Sequence, residues 1–319
     1  MTIRAAMDIF SPMSAAPLVF DRRLLLARRL RAAALGPSTF LLERVAEELS
    51  DRLATVLRSF GCAVDLGTPT DALRRLLAAS GRIGTIVAAE ASFVSHPQSQ
   101  TSDRRVGELA VAADEEALPF RDGALDLVVS ALALQFVNDL PGTLVQIRRA
   151  LAPDGLLLAA LVGGDTLGEL RQAFAAAETE IEDGISPRVA PFVDVREAGT
   201  LLQRAGFALP VTDVDRVTVR YASPIDLMRD LRRMGASNAL VERSRRPLRR
   251  TTLARTMEIY AERFSDPDGR IRATFEIVWL SGWAPHASQQ RPLAPGSAAH
   301  RLADALGTKE MPAGEKAGR

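Results

Sequence analysis

Cysteine is almost missing from this 319-residue chain. A lone Cys62 cannot close an internal disulfide, so the fold must stand on packing, and a reducing, cytoplasmic setting is expected. Cys62 precedes a strand-like run and reads as a buried thiol. Lysine is nearly as scarce, with only Lys309 and Lys316, so almost all positive charge is arginine. Histidine is limited to His96, His286 and His300, none beside a Cys or carboxylate at ligand spacing, so no metal site is assigned. No apolar run approaches the roughly 20 residues of a membrane span, and no transmembrane segment is expected. The 40 basic and 39 acidic residues leave a net charge of +1, which gives no whole-chain field to draw in nucleic acid.

The remainder is ordinary globular composition, 47% hydrophobic and 25% charged, enough for one large α/β domain with additions or for two small ones. The organising stretch runs from Val111 to Leu167. Leu125 to Leu134 is apolar on both faces, as suits a parallel strand covered by helices on each side. Asn138-Asp139 then offers a helix N-cap with Pro141 in the first turn, and Leu140, Leu144, Ile147 and Leu151 recur at helical spacing up to Pro153-Asp154-Gly155. Gly155 to Val162 is a second apolar run, broken by Gly163-Gly164-Asp165-Thr166. Strand, crossover helix and strand make the unit of a doubly wound sheet.

Around this unit the chain divides by pattern. Residues 1–36 read as an N-terminal arm and helix; they are acid-poor and formally like an amphipathic transit peptide. Residues 37–222 form the core. Pro37 to Phe60 carries a clean apolar stripe, and Gly61–Gly67, Ile83–Ala89 and Leu109–Ala113 read as the first three strands, with Thr70–Ala79 as the first crossover helix. Ser92 to Arg105 turns polar and reads as irregular surface. Helices follow at Asp165–Ile181 and Asp194–Arg204, then a strand at Val211–Tyr221. Residues 223–270 read as a helical cap insertion (Pro224–Met234, an arginine-rich linker Arg243–Arg250, and Leu253–Phe264), 271–297 as the last strand, Thr274–Leu280, with a docked tail, and 298–319 as a disordered tail. Tyr221, Trp279 and Trp283 could line a pocket, although aromatics on such strands more often belong to the core.

An acidic residue after the third strand (Asp114), the Leu118-Pro119-Phe120 loop, the Asp126-Leu127-Val128-Val129 strand and the Leu151-x-Pro153-x-Gly155 turn resemble, as an ordered set, class I S-adenosylmethionine-dependent methyltransferases. Phe136-Val137-Asn138-Asp139-Leu140-Pro141, Gly163-Gly164-Asp165-Thr166-Leu167 and Gly184-Ile185-Ser186-Pro187 are similar to one branch. It holds the bacterial relatives of a mitochondrial respiratory complex I assembly factor and the malonyl-carrier-protein methyltransferases. The resemblance implies a Rossmann-like α/β fold with a doubly wound seven-stranded sheet in the order 3-2-1-4-5-7-6, strand 7 antiparallel. It implies S-adenosyl-L-methionine as cofactor, with binding roles for Asp65, Gly67, Glu90, Asp114, Glu115 and Ser130. Glu90 would meet the ribose hydroxyls and Asp114 the adenine amino group.

Gly67-Thr68-Pro69-Thr70-Asp71 departs from the family's Gly-x-Gly-x-Gly loop, placing a ring and a charged side chain where glycines are expected near the ligand. Gln135 and Phe136 stand where relatives tend to carry His and Trp, and no catalytic residue follows. The implied substrate is protein- or carrier-bound, a respiratory complex I subunit among the candidates. The rival reading is a cofactor-free assembly or interaction protein on the same scaffold.

Overall fold

The computed structural model describes residues 18–91, 108–182, 184–290, 297 and 301–309. The polar segment Ser92–Arg105 and the arm before Pro17 lie outside the described residues. The chain divides into two compact units, one ending at Pro285 and one starting at His286.

In the first unit the apolar runs become strands: β1 Phe60–Leu66, β2 Ile83–Glu90, β3 Glu108–Ala112, β4 Leu125–Ala131, β5 Leu151–Val162, β6 Ala208–Tyr221 and β7 Ile271–Trp283. They form one sheet in the order β3-β2-β1-β4-β5-β7-β6. The first five strands are parallel, whereas β7 pairs antiparallel with both β5 and β6. This is the implied topology. The alternation of side chains explains why both faces are apolar: Leu127 and Val129 of β4 and Leu156 and Leu158 of β5 enter one core, and Val128, Leu157 and Leu161 the other.

The first core is covered by α2 (Phe40–Ala54), α3 (Ala72–Ala79), α5 (Gly168–Ile181) and α8 (Arg250–Phe264), through Leu49, Leu73, Phe174 and Tyr260. The second is covered by α4 (Leu140–Ala150) and α6 (Val195–Arg204), through Leu144, Ile147 and Leu202. Two further helices, α1 (Arg22–Ala34) and α7 (Pro224–Arg233), lie beside the strand ends. Tyr260 is fully buried, and its hydroxyl donates to the Arg272 carbonyl at 2.8 Å, which ties α8 to β7.

Helix boundaries follow local chemistry. Asp139 caps α4 by accepting from Gly142 N at 2.8 Å, with Pro141 in the first turn, and Asp194 caps α6 through the amides of Arg196 and Glu197. Asn138, paired with Asp139 in the N-cap reading, does something else. Its Oδ1 accepts from the amides of Val19 and Phe20 at 2.8 and 2.7 Å, fastening the N-terminal segment to the core. The helical spacing also overran one boundary: α4 ends at Ala150, and Leu151 already belongs to β5, opposite Leu125. The chain turns through Asp154 at φ 65° before Gly155 and the longer apolar run.

Trp279 is a core aromatic, with Arg52 stacked 4.6 Å over its ring. Cys62 is half-buried on β1, and burial followed by Asp126 pushes its thiol up. In the second unit, Leu302–Leu306 forms a short helix, α9, inside the segment read as a disordered tail; Gly307 closes it at φ 63°. Among the described residues, no helix is long and apolar enough to cross a membrane.

Candidate active site at the carboxyl ends of the strands

Where β1, β2 and β4 end, the chain forms a half-open cavity of about 700 Å³. Its polar side is made by Gly67, Thr68, Pro69, Glu90, Glu115 and Gln135; its apolar side includes Leu26 of α1, Leu41 and Leu42 of α2, Phe174 of α5 and Met228 of α7. Of the six cofactor positions implied by the sequence, Gly67, Glu90 and Glu115 line this cavity. Asp65, Asp114 and Ser130 do not.

The turn after β1 rests on Gly67, at φ 69°, whose amide donates to the Ala89 carbonyl at 2.8 Å. Thr68, which the sequence did not single out, is fully buried and holds the turn from within. Its hydroxyl donates to Asp65 and accepts from the Ala131 amide at 3.0 Å. Ser130 belongs to the same support, its hydroxyl donating to the Leu66 carbonyl at 2.7 Å.

Asp65 lies behind the turn with no solvent exposure. Arg74 of α3 donates to it at 2.9 Å and to Glu90 at 3.1 Å, so one guanidinium bridges the acids at the ends of β1 and β2. Burial pushes Asp65 up to about 6, against the pull of Arg74 and Thr68 and with the help of Glu90. The folded chain therefore holds an extra proton between the ordinary Asp value of 3.8 and about 6, and the stability this contributes is lost as pH rises through that window. Asp65→Asn keeps the shape and removes the titration. The unfolding free energy from urea titrations between pH 4 and 7 is expected to fall by roughly 3 kcal/mol less in this variant than in wild type, and an unchanged slope would assign the titration elsewhere.

The second acidic group follows β3. Arg22 of α1 reaches Asp114 at 2.7 Å and Glu116 at 3.1 Å and also pairs with Glu115, while Arg29 stands 3.7 Å from Glu115. Burial lowers the proton affinity of Arg22, but Glu115, Asp114 and Glu116 outweigh it and hold the guanidinium above its ordinary value. Burial pushes Asp114 up, with Arg22 opposing. Asp114 thus anchors α1, and Glu115 is the acid on the cavity surface.

After β4, Leu132 takes φ 52°, a strained setting for a branched side chain, and a 3₁₀ turn at Leu134–Phe136 follows. Gln135 donates through Nε2 to the Leu132 carbonyl at 2.8 Å; its Oε1 is buried without a hydrogen-bond partner among the described residues. Phe136 meets Phe20 and Phe192 edge-on at 5.6 and 6.2 Å, and Arg29 lies 5.6 Å over its ring.

Comparison with known proteins identifies the family. Residues 64–159 match the methyltransferase domain family. The zebrafish (Danio rerio) protein named arginine-hydroxylase NDUFAF5, mitochondrial, is 38% identical over 289 residues, 90% of this chain and 89% of that protein. The human protein of the same name is 39% identical over 283 residues, 88% and 81% of the two chains. A malonyl-[acyl-carrier protein] O-methyltransferase from Laribacter hongkongensis is 36% identical over 276 residues, 83% of this chain and 90% of that protein. The chain belongs to this methyltransferase family. The YcgJ protein of Bacillus subtilis shares the fold, with a TM-score of 0.51 at 14% identity, over 76% of this chain and 99% of that one.

For a member of the S-adenosylmethionine-dependent methyltransferases, the altered turn is less obstructive than its sequence suggests. Asp71 does not line the cavity. It sits at the N-cap of α3 with its side chain half exposed, and its carboxylate lies 3.7 Å from Arg75 on the helix surface. The helix starts one residue later, at Ala72, and that geometry turns the side chain outward. Pro69 does line the cavity, so of the two departures only the ring meets the space.

The residues present suit the cofactor of the family. S-adenosylmethionine carries N–H and O–H donors at its ammonium, ribose and adenine, and the cavity offers Glu90, Glu115 and the buried, unpartnered Gln135 Oε1 as acceptors.

Proposed function

We propose that this methyltransferase binds S-adenosylmethionine across the ends of β1, β2 and β4 and methylates a group presented by a protein or carrier, with respiratory complex I subunits among the candidate partners. The supporting observation is that the Gly67 turn and two carboxylates, Glu90 and Glu115, face one cavity. Bound there, the cofactor supplies an activated methyl group. The chain's own contribution is placement: the Gly67–Thr70 backbone and Glu90 hold the ligand, Glu115 and Gln135 fix its far side, and the apolar wall from α1, α2 and α7 excludes water. Both cavity carboxylates are engaged by arginine, Glu90 by Arg74 and Glu115 by Arg22 and Arg29, so neither is assigned as a base. Orientation of an incoming nucleophile carries the rate in this reading.

Titration calorimetry with S-adenosylmethionine tests it. Wild type is expected to bind. Gly67→Ala is expected to bind at least about tenfold more weakly, because a β-carbon there would stand 2.6 Å from Glu115 Oε1 at a backbone φ that L-residues avoid. No heat of binding with the folded wild type would overturn the cofactor reading in favour of a scaffold protein.

A further inference from the structure

The wall that closes the cavity has a second side. Helix α1, Arg22–Ala34, contains five arginines and no acid, and so does the segment from Arg243 to Arg250. The structure lays these stretches side by side. Phe20 bridges Leu240, the Val241 amide donates to the Val19 carbonyl at 2.9 Å, Arg28 donates to the Asn238 carbonyl, and Arg243 pairs with Asp21 at 3.3 Å. The charge is only partly neutralised. Arg22 and Arg29 turn inward to the acids after β3, and Arg249 reaches Glu182, but Arg23, Arg31, Arg245 and Arg246 are exposed and make no ion pair among the described residues. Burial, followed by the guanidiniums of Arg243 and Arg31, holds Arg28 below its ordinary value, as like charges crowded on one face would.

A chain of net charge +1 therefore concentrates positive charge on one shelf. Leu26, Arg29 and Asn238 on the inner side of the same elements line the cavity. Exposed Leu18, Val19, Leu35 and Phe40 flank the shelf and supply apolar contact area at its ends.

We infer that this arginine shelf is the docking surface for the acidic face of the protein that brings the substrate to the cavity, an inference that rests on the methyltransferase reading above. The chemistry favours carboxylates on a folded partner. Arginine forks pair bidentately with carboxylates and are enriched at protein interfaces. A membrane-lying helix would need large apolar side chains among its outward cations, and the exposed positions of α1 are Arg23, Ala27, Arg31 and Ala34.

The test is charge reversal at Arg23, Arg31, Arg245 and Arg246 together, in the full chain. The probes are a fluorescein-labelled Glu/Asp-rich peptide followed by anisotropy, phosphatidylserine vesicles and an oligothymidylate. Wild type is expected to prefer the acidic peptide, in a salt-dependent way. The reversed variant should lose at least about tenfold in peptide affinity and keep its S-adenosylmethionine affinity. Reversal of exposed Arg196 and Arg204 on α6, which packs on the second face of the sheet, should leave peptide binding within about twofold. Equal loss in that control, preference for vesicles or oligothymidylate, or no peptide binding by wild type would overturn the assignment. Failure of S-adenosylmethionine binding with peptide binding intact would instead sink the catalytic reading alone.

Discussion

Arg74→Met is expected to destabilise the protein by about 3–5 kcal/mol at pH 7.5, because it strands the fully buried Asp65 and the adjacent Glu90 without their shared cation. The deficit should shrink as pH falls. With the guanidinium gone, burial and Glu90 both favour the protonated form of Asp65, and protonation removes the uncompensated charge. Urea denaturation at pH 7.5 and pH 5 reads this directly; a loss under about 1 kcal/mol, or one independent of pH, would show that the bridge is not what holds the two strand ends. The same variant bears on the proposed cofactor site. Arg74 positions Glu90 without lining the cavity, so S-adenosylmethionine affinity should drop along with stability, and Arg74→Lys should restore little because a point charge cannot reach two acids as the fork does.

The second large effect concerns α1. Arg22→Ala should cost about 3–5 kcal/mol, since Asp114 and Glu115 are both nearly closed to solvent and Arg29 approaches only Glu115. The loss should be concentrated in one element. Hydrogen exchange of the α1 amides, from Leu25 to Ala32, should accelerate strongly while β1 and β4 keep their protection, because the sheet has its own two cores. Uniform acceleration across the sheet would show that the cluster supports the whole domain.

Much of the fold was legible because its signals are local. Leu125 to Ala131 and Gly155 to Val162 are apolar on both faces, and only a strand buried between two helical layers asks for that. The strand order was a different matter: nothing local in Thr274–Leu280 says that it enters between β5 and β6, and its place came from the family resemblance. The site was legible as acids but not as pairs. Glu90 and Glu115 stood at recognisable strand ends, whereas their partners, Arg74 and Arg22, lie 16 and 93 positions away and look like ordinary surface residues of basic helices. Asp71 misled for a related reason. The sequence gives a residue's place in the loop, but the side chain's direction depends on where α3 starts. Thr68 gave no signal at all, since a buried threonine that braces a turn resembles any other small polar residue.

The position of β7 has a consequence during synthesis. Among the described residues it is the last strand to leave the ribosome, yet it belongs inside the sheet, bonded to β5 on one side and β6 on the other. Until Ile271–Trp283 emerges, β5 carries an open hydrogen-bonding edge and the long β6 has no neighbour in the sheet. Insertion of β7 then completes the sheet and, through Tyr260 and the Arg272 carbonyl, ties α8, which already packs on α5, to the new strand. A nascent chain halted just short of Ile271 is therefore expected to expose an unpaired strand edge, the kind of surface that pairs wrongly with other chains.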